Sequence, residues 1–393
     1  MGQNELLDRT RQHLQARIDA YRSRKGFDFT EELIGAGSGP QGRFFFEESD
    51  LPEICRLLKG RMPASAAQIV ASAEKACRHS FDLLGFTDLD YGSDINWHLD
   101  IVHGKEAARV PWFKIGYLDF AQVGDAKITW ELNRHQHLVT LAKAYRLTGC
   151  QEFAEEAVRQ WRHWQRENPY PIGINWASSL EVAFRSLSWI WTLFLLQSSP
   201  VMTPELRQAW TRALALNGRH IDTYLSTYFS PNTHLLGEGM VLFFLGTLLP
   251  GLKPAARWKG RGWNVVLEAA RDQVRNDGFY FEQSTYYHVY ALDFFLHARV
   301  LAAANQVAVP AEYDAVLVRM LDALLLSGRA GIVPQVGDDD GGRLFDGRRN
   351  QAGDLLDPLS TGAVLFQRGD FKFLCGGMRE ETLWLLGPSG LRA

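Results

Sequence analysis

The sequence predicts a mainly α fold of antiparallel helical hairpins arranged in layers, as an α/α barrel, a toroid or a solenoid, with β-like text after about residue 355. Three observations predict it. Apolar residues recur at helical spacing over segments of ordinary helix length, joined by short connections. Amphipathic segments alternate with segments that are apolar all round, as expected where outer helices cover inner ones. No strict sequence repeat accompanies this alternation.

Taken in order, the opening "MGQNELLDRTRQHLQARIDAYRSRKG" is polar and helical, unlike a secretory or transit segment. "HLVTLAKAYRLTG" sets Leu138, Leu141, Ala142 and Tyr145 on one face, and Gly149 stops it. In "QEFAEEAVRQWRHWQREN", Phe153, Ala157, Trp161 and Trp164 share a stripe. "SSLEVAFRSLSWIWTLFLL" is apolar nearly all round and reads as buried. Thr203 and Pro204 open the next helix as N-cap and first helical residue. "THLLGEGMVLFFLGTLL", "GWNVVLEAARDQVRNDG", "YALDFFLHARVLAAANQ" and "AEYDAVLVRMLDALLLSGR" follow. In "GAVLFQRGDFKFLCGG", apolar runs flank Arg368-Gly369-Asp370, which reads as a β-hairpin, and "ETLWLLGPSG" reads as a further strand.

With 42 basic against 45 acidic residues among 393, no global positive field exists to hold nucleic acid or anionic lipid. Neither is expected as a partner. The longest apolar runs, such as "MVLFFLGTLLPGL", read as too short to span a bilayer. Cys55, Cys77, Cys150 and Cys375 form no C-x-x-C pair, so free thiols and a cytoplasmic setting are expected, or a periplasmic or secreted one if a signal was removed. Most of the 12 tryptophans are expected between helices, the remainder being flat faces suited to sugars.

Polar clusters interrupt the helical text. "WELNRHQH" holds Asn133, Arg134, His135 and His137. "NPYPIGINWASSLEVAFR" holds Asn175, Trp176, Glu181 and Arg185, the last two spaced i, i+4 in the order that favours an ion pair. "SPNTHLLGE" holds Asn232, His234 and Glu238. "DGFYFEQSTYYHVY" holds Asp277, Glu282, Gln283, Tyr286, Tyr287 and His288, then runs into apolar helix. Each has a structural alternative: Asn232 as an N-cap, Glu181 and Arg185 as a buried pair, Tyr287 as a core tyrosine, and "GDDDGGR" as a solvated loop. Their common position, where a loop enters a helix, favours a site, because helix N-termini attract carboxylates. Amides, imidazoles, a phenol and an arginine, without an evident nucleophile or metal triad, suit β-elimination from a uronic acid. That reaction needs the carboxylate neutralised while a base takes the C5 proton and an acid reaches the leaving oxygen.

"WELNRHQ", "GINWASSLEVAFRSLSW", "SPNTHLLGE", "DGFYFEQSTYYH" and "GDDDGGR", in this order, resemble the heparinase II/III-like polysaccharide lyases, which are related to the oligoalginate lyases. The resemblance runs from about residue 80 to the end. It implies an α/α toroid, an incomplete α/α barrel of helical hairpins, followed by an antiparallel β-sandwich with the site in the cleft between them. On that basis residues 1–90 are expected as an N-terminal helical segment, 91–355 as the catalytic toroid and 356–393 as the start of the β-rich domain. The family's sandwich adds further histidines and often a structural metal; the residues here call for no cofactor and no metal.

The resemblance also implies eliminative cleavage of an acidic polysaccharide or oligosaccharide, leaving an unsaturated uronate. Asn232 matches the amide that neutralises the substrate carboxylate. His234 matches a neighbouring histidine that serves as base or carboxylate ligand, and Tyr287 the catalytic tyrosine. Asn133, Arg134, His135, Asn175, Trp176, Glu181, Arg185, Glu238, Gln283, Tyr286 and His288 would line the cleft or hold these in place. Two alternatives stand beside this reading: a glycoside hydrolase using a pair among Glu181, Glu238, Asp277, Glu282 and Asp338, and a non-catalytic glycan-binding or assembly protein.

Overall fold

In a computed structural model of the chain, residues 2–35, 37–339, 343–344 and 354–392 are described. The helices are α1 (Gln3–Arg24), α2 (Leu51–Arg61), α3 (Pro63–Cys77), α4 (Phe120–Val123), α5 (Ala126–Asn133), α6 (Gln136–Thr148), α7 (Gln151–Glu167), α8 (Ser179–Leu196), α9 (Pro204–Thr223), α10 (Thr233–Leu248), α11 (Ala255–Gln273), α12 (Thr285–Ala304), α13 (Ala311–Ser327), α14 (Asp357–Phe366), α15 (Gly369–Cys375) and α16 (Glu380–Leu386). Between α3 and α4 lie antiparallel hairpins, β1 (Ser80–Leu83) with β2 (Phe86–Asp90) and β3 (Leu99–Asp100) with β4 (Lys105–Glu106).

The alternation read from the sequence is the layering of the toroid. The inner helices touch in succession, α6 to α8, α8 to α10, α10 to α12 and α12 to α14, while α7, α9, α11 and α13 lie outside them. The inner helices α8, α10 and α12 have almost no solvent face, so their sequences are largely apolar. α8 is long and apolar enough to cross a membrane, contrary to the expectation from run length, yet every one of its 18 residues is buried inside the fold. α10 packs closely on α11 because glycines face each other: a Cβ at Gly262 would strike the backbone of Gly239 and Phe243. The sequence signals at helix ends hold. The Thr203 hydroxyl accepts the Leu206 N–H at 3.2 Å, and Gly149 ends α6 in the left-handed region at φ 75°.

The expected strands between residues 356 and 386 are instead helices α14, α15 and α16. Short apolar runs have the same look in a strand and a helix; burial on nearly all sides decides for α14 and α16, while α15 buries only Phe371 and Cys375, at helical i, i+4 spacing. α14 is buried from Asp357 to Ala363, and Gln367 turns it off in the left-handed region at φ 54°. Arg368-Gly369-Asp370 is therefore a helix–helix corner, with Arg368 bonded to Asp370 and to Asp322 of α13. α16 touches α2, and α2 and α3 touch α6, so this segment helps close the ring. A buried ion pair, Lys143 to Glu380 at 2.9 Å, fastens α6 to α16.

Candidate active site

The N-termini of α10 and α12 lie side by side. Asn232 is the N-cap of α10: its side-chain oxygen accepts the His234 N–H at 3.1 Å, so the capping alternative holds. The same amide donates to the Glu282 carboxylate at 2.9 Å. Glu282 also accepts the Thr233 N–H at 3.3 Å, placing a negative charge on the positive end of α10. Two residues on, Ser284 caps α12 by accepting the Tyr287 N–H at 3.2 Å. Thr285 ties this end to the 334–338 segment, its N–H donating to the Val336 carbonyl at 2.9 Å.

The neighbouring tyrosines divide as helix geometry requires. Tyr286 is buried and stacks on Tyr290 at 5.6 Å, and burial drives its pKa well above the ordinary phenol value. Tyr287 is half-buried, its ring 5.5 Å from Tyr286 and 6.2 Å from Tyr290.

Beside His234 opens a cavity of about 540 Å³. Its walls are aromatic: Trp112, Phe113, Tyr117, Trp130, Tyr224, Tyr228 and Phe229, with α1 along one side. The Trp130 indole is fixed by donating to the Ile174 carbonyl at 3.1 Å, and Trp112 meets Tyr224 edge-on at 5.2 Å. These two are the tryptophans that reach the cavity; the other ten are buried in the core, as expected of most. Among the described residues the wall includes His234, not Asn232 or Tyr287.

Most of the other expected site residues are buried or largely so and are bonded to protein groups. Asn133 is buried, donating to the Trp97 and Thr129 carbonyls and accepting the Trp164 indole N–H at 2.6 Å. Arg134 is bidentate to Glu181 at 2.7 and 2.8 Å, reaches Glu131 at 2.8 Å, and lies 4.3 Å over the Phe184 ring. Burial opposes its charge, but Glu181 and Glu131 outweigh that and its pKa rises. Burial likewise raises the pKa of Glu131. The expected Glu181–Arg185 pair is not made: Arg134 takes both Glu181 oxygens. Arg185 is instead enclosed by Trp164, Trp176 and Trp189 at 4.3, 5.0 and 5.6 Å, with one N–H on the Asn175 carbonyl. Burial pushes its pKa down to about 9.

His135 is fully buried, accepts the Trp189 indole N–H at 2.8 Å and is held neutral by burial, His137 and Arg185. Asn175 bonds Trp97 and Asn168, and Trp176 is buried against the Asn168 carbonyl. His288 accepts from the Tyr280 N–H and donates to the Met320 carbonyl; burial lowers its pKa to about 4. Glu238 is fully buried, accepting the Ser226 N–H at 2.7 Å and hydroxyl at 2.6 Å, and burial pushes its pKa up to about 8. Gln283 is exposed, its amide oxygen facing Arg275. Of the further acids, Asp277 caps a turn at the Phe279 N–H, and part of "GDDDGGR", residues 340–342, lies outside the described residues.

Sequence reasoning missed the cavity wall. Its signal was present as aromatic residues in non-helical text, "PWFKIGYL" and "YLSTYFS", the second directly before "SPNTH". It also read Glu282 only as a spare acid, although Asn232 and Glu282 hold each other.

The Heparinase II/III N-terminus family matches residues 43–339. The chain belongs to this family. The heparin-sulfate lyase of Pedobacter heparinus is a family relative 30% identical over 263 residues, covering 65% of this chain and 36% of the relative. That of Bacteroides thetaiotaomicron is 27% identical over 221 residues, covering 53% and 31%. Among solved structures, a heparinase III superposes with TM-score 0.60 at 21% identity over 79% of this chain and 46% of its own. A heparan sulfate lyase from Pedobacter heparinus gives 0.57 at 25% identity over 78% and 45%. The chain thus carries the family's helical toroid and spans about a third of the curated relatives it matches.

Proposed function

We propose that the chain is the toroid portion of a polysaccharide lyase that cleaves a uronate-containing glycan by β-elimination. In the proposed step a base takes the C5 proton, the C4–O4 bond breaks, the leaving oxygen is protonated, and a C4=C5 double bond remains. The second N–H of the Asn232 amide, the one not given to Glu282, neutralises the substrate carboxylate as the enolate-like dianion forms. Tyr287 protonates the leaving oxygen, and the C5 proton goes to His234 or, where His234 binds the carboxylate, to Tyr287 as phenolate, which then returns it to the leaving oxygen. Glu282 holds Asn232 in position. No cofactor enters this step. A heparan-sulfate-like glycosaminoglycan is the substrate to try first, since the relatives named above are heparin-sulfate lyases.

The observation that carries the reading is the Asn232–Glu282 bond between the N-termini of α10 and α12, with His234 on an aromatic cavity beside it. It also weighs against a hydrolase, because Glu181, Glu238 and Asp277 are already engaged by protein groups. The test is turnover on a panel of uronate polysaccharides, by the chain and by a longer form if one exists, followed through the ultraviolet absorbance of the new C=C and through solvent oxygen in the product. Absorbance without oxygen incorporation is expected; incorporation without absorbance refutes the proposal.

A further inference from the structure

Helix α1 lies outside the residues matched by the family, yet it forms one side of the aromatic cavity through Asp8, Arg9, Gln12, His13 and Ala16. Its second half is rooted. The fully buried Asp19 carboxylate accepts both Arg219 N–H groups at 2.9 and 2.8 Å, the Tyr170 hydroxyl at 2.6 Å and the Tyr224 hydroxyl at 3.3 Å. Tyr224 is itself a cavity wall, so the root of α1 and the cavity share a residue. Its first half lies along the 223–228 backbone, where Gln12 donates to the Leu225 carbonyl at 3.1 Å and Arg9 to the Tyr228 carbonyl at 3.5 Å.

Among the described residues lining the cavity, Arg9 is the only arginine or lysine. Asp8 on the same wall is engaged by Arg11 at 2.9 Å and Gln12 at 3.0 Å. Arg9 is 46% exposed and paired with Glu5, an exposed i, i+4 pair that a ligand carboxylate can replace at little loss. His220, deeper in the wall, is held neutral by burial, which lowers its pKa to about 3. A sugar ring stacked in this cavity would therefore find its fixed positive charge on α1.

We propose that α1 is a specificity wall of the glycan cavity and that Arg9 is its specificity-determining residue, receiving a uronate carboxylate through its guanidinium fork. This rests on the glycan reading above and adds to it a residue outside the family's matched segment. Trp112 and Trp130, both on the cavity wall, provide a fluorescence readout of ligand entry.

The test compares an unsulfated uronate tetrasaccharide with its carboxyl-reduced counterpart, titrated into the full chain. Arg9→Gln should weaken the acidic sugar about tenfold, leave the reduced sugar unchanged, and recover in part in Arg9→Lys. Arg56→Ala, a loss of the same charge on the exposed surface of α2, should change neither. Where turnover is measurable, Arg9→Gln should raise KM with little effect on kcat. Equal weakening of both sugars, or none of the acidic one, overturns the role of Arg9. Absence of binding by the unaltered chain to either sugar overturns the glycan reading itself.

Discussion

Two groups of polar residues in this chain use the same chemical vocabulary and come to opposite ends. At the α5–α6 corner, in the turn before α8 and along α8, Asn133, His135, Asn175, Glu181 and Arg185 are buried and Arg134 largely so, and protein groups meet them: Glu181 and Glu131 for Arg134, indoles for Arg185 and His135, carbonyls for the amides. At the rim, Asn232, His234 and Tyr287 are only partly buried, at the ends of α10 and α12. The difference teaches that an Asn-Arg-His or Asn-x-His cluster records a helix end. Whether that end faces the core or a cavity depends on what the other helices put against it.

The comparison breaks first at Arg134. Arg134→Ala leaves Glu181 and Glu131 buried without their cation and should destabilise the fold by about 3–5 kcal/mol, measured by denaturant unfolding. Unchanged stability with loss of glycan binding would make the inner cluster the site instead. Tyr287→Phe is the matching change at the rim: lyase turnover should fall by about 10²–10⁴, with stability lowered by no more than about 1.5 kcal/mol. Intact turnover removes Tyr287 from the proposed chemistry.

Asn232→Ser separates capping from catalysis. Serine caps as well as asparagine, so unfolding should lose only the Asn232–Glu282 bond, about 1 kcal/mol. The lost amide donor should lower turnover by about 10²–10³. Parallel small losses in both would reduce Asn232 to a cap.

The remaining prediction concerns pH. Burial raises the Glu238 carboxyl from an ordinary 4.5 to about 8 in the folded chain. Between those values the unfolded chain has released the proton while the folded one keeps it, so stability falls as pH climbs from 4.5 through 8. Glu238→Gln should flatten that slope in melting curves across this range; an unchanged slope would mean that Glu238 is ionised in place. His288, lowered to about 4, acts in the opposite sense, removing stability as pH falls from 6.5 through 4.

Much of the toroid was legible because its signals are local. Periodicity, the Thr203 cap and the Gly149 stop each act within a few residues. The strands expected after residue 355 failed because "AVLF" and "FKFLC" carry no period of their own, and contacts with distant helices settle their conformation. The site was legible in part for a related reason. Asn232 and Tyr287 were read as helix-entry residues and stand at the starts of α10 and α12, but the Asn232–Glu282 bond joins residues 50 apart in sequence, and the α1 wall meets a loop more than 200 residues away.

By itself the sequence determined the helices from α6 to α13, which of them are apolar all round, and where polar residues meet helix ends, since these follow from spacing and capping chemistry. Only the tertiary structure decided that α14–α16 help close the ring, that Arg134 and not Arg185 takes Glu181, and that the first helix walls an aromatic cavity. Each of those depends on which distant surface removes water from a side chain, and that is a property of the packed ring.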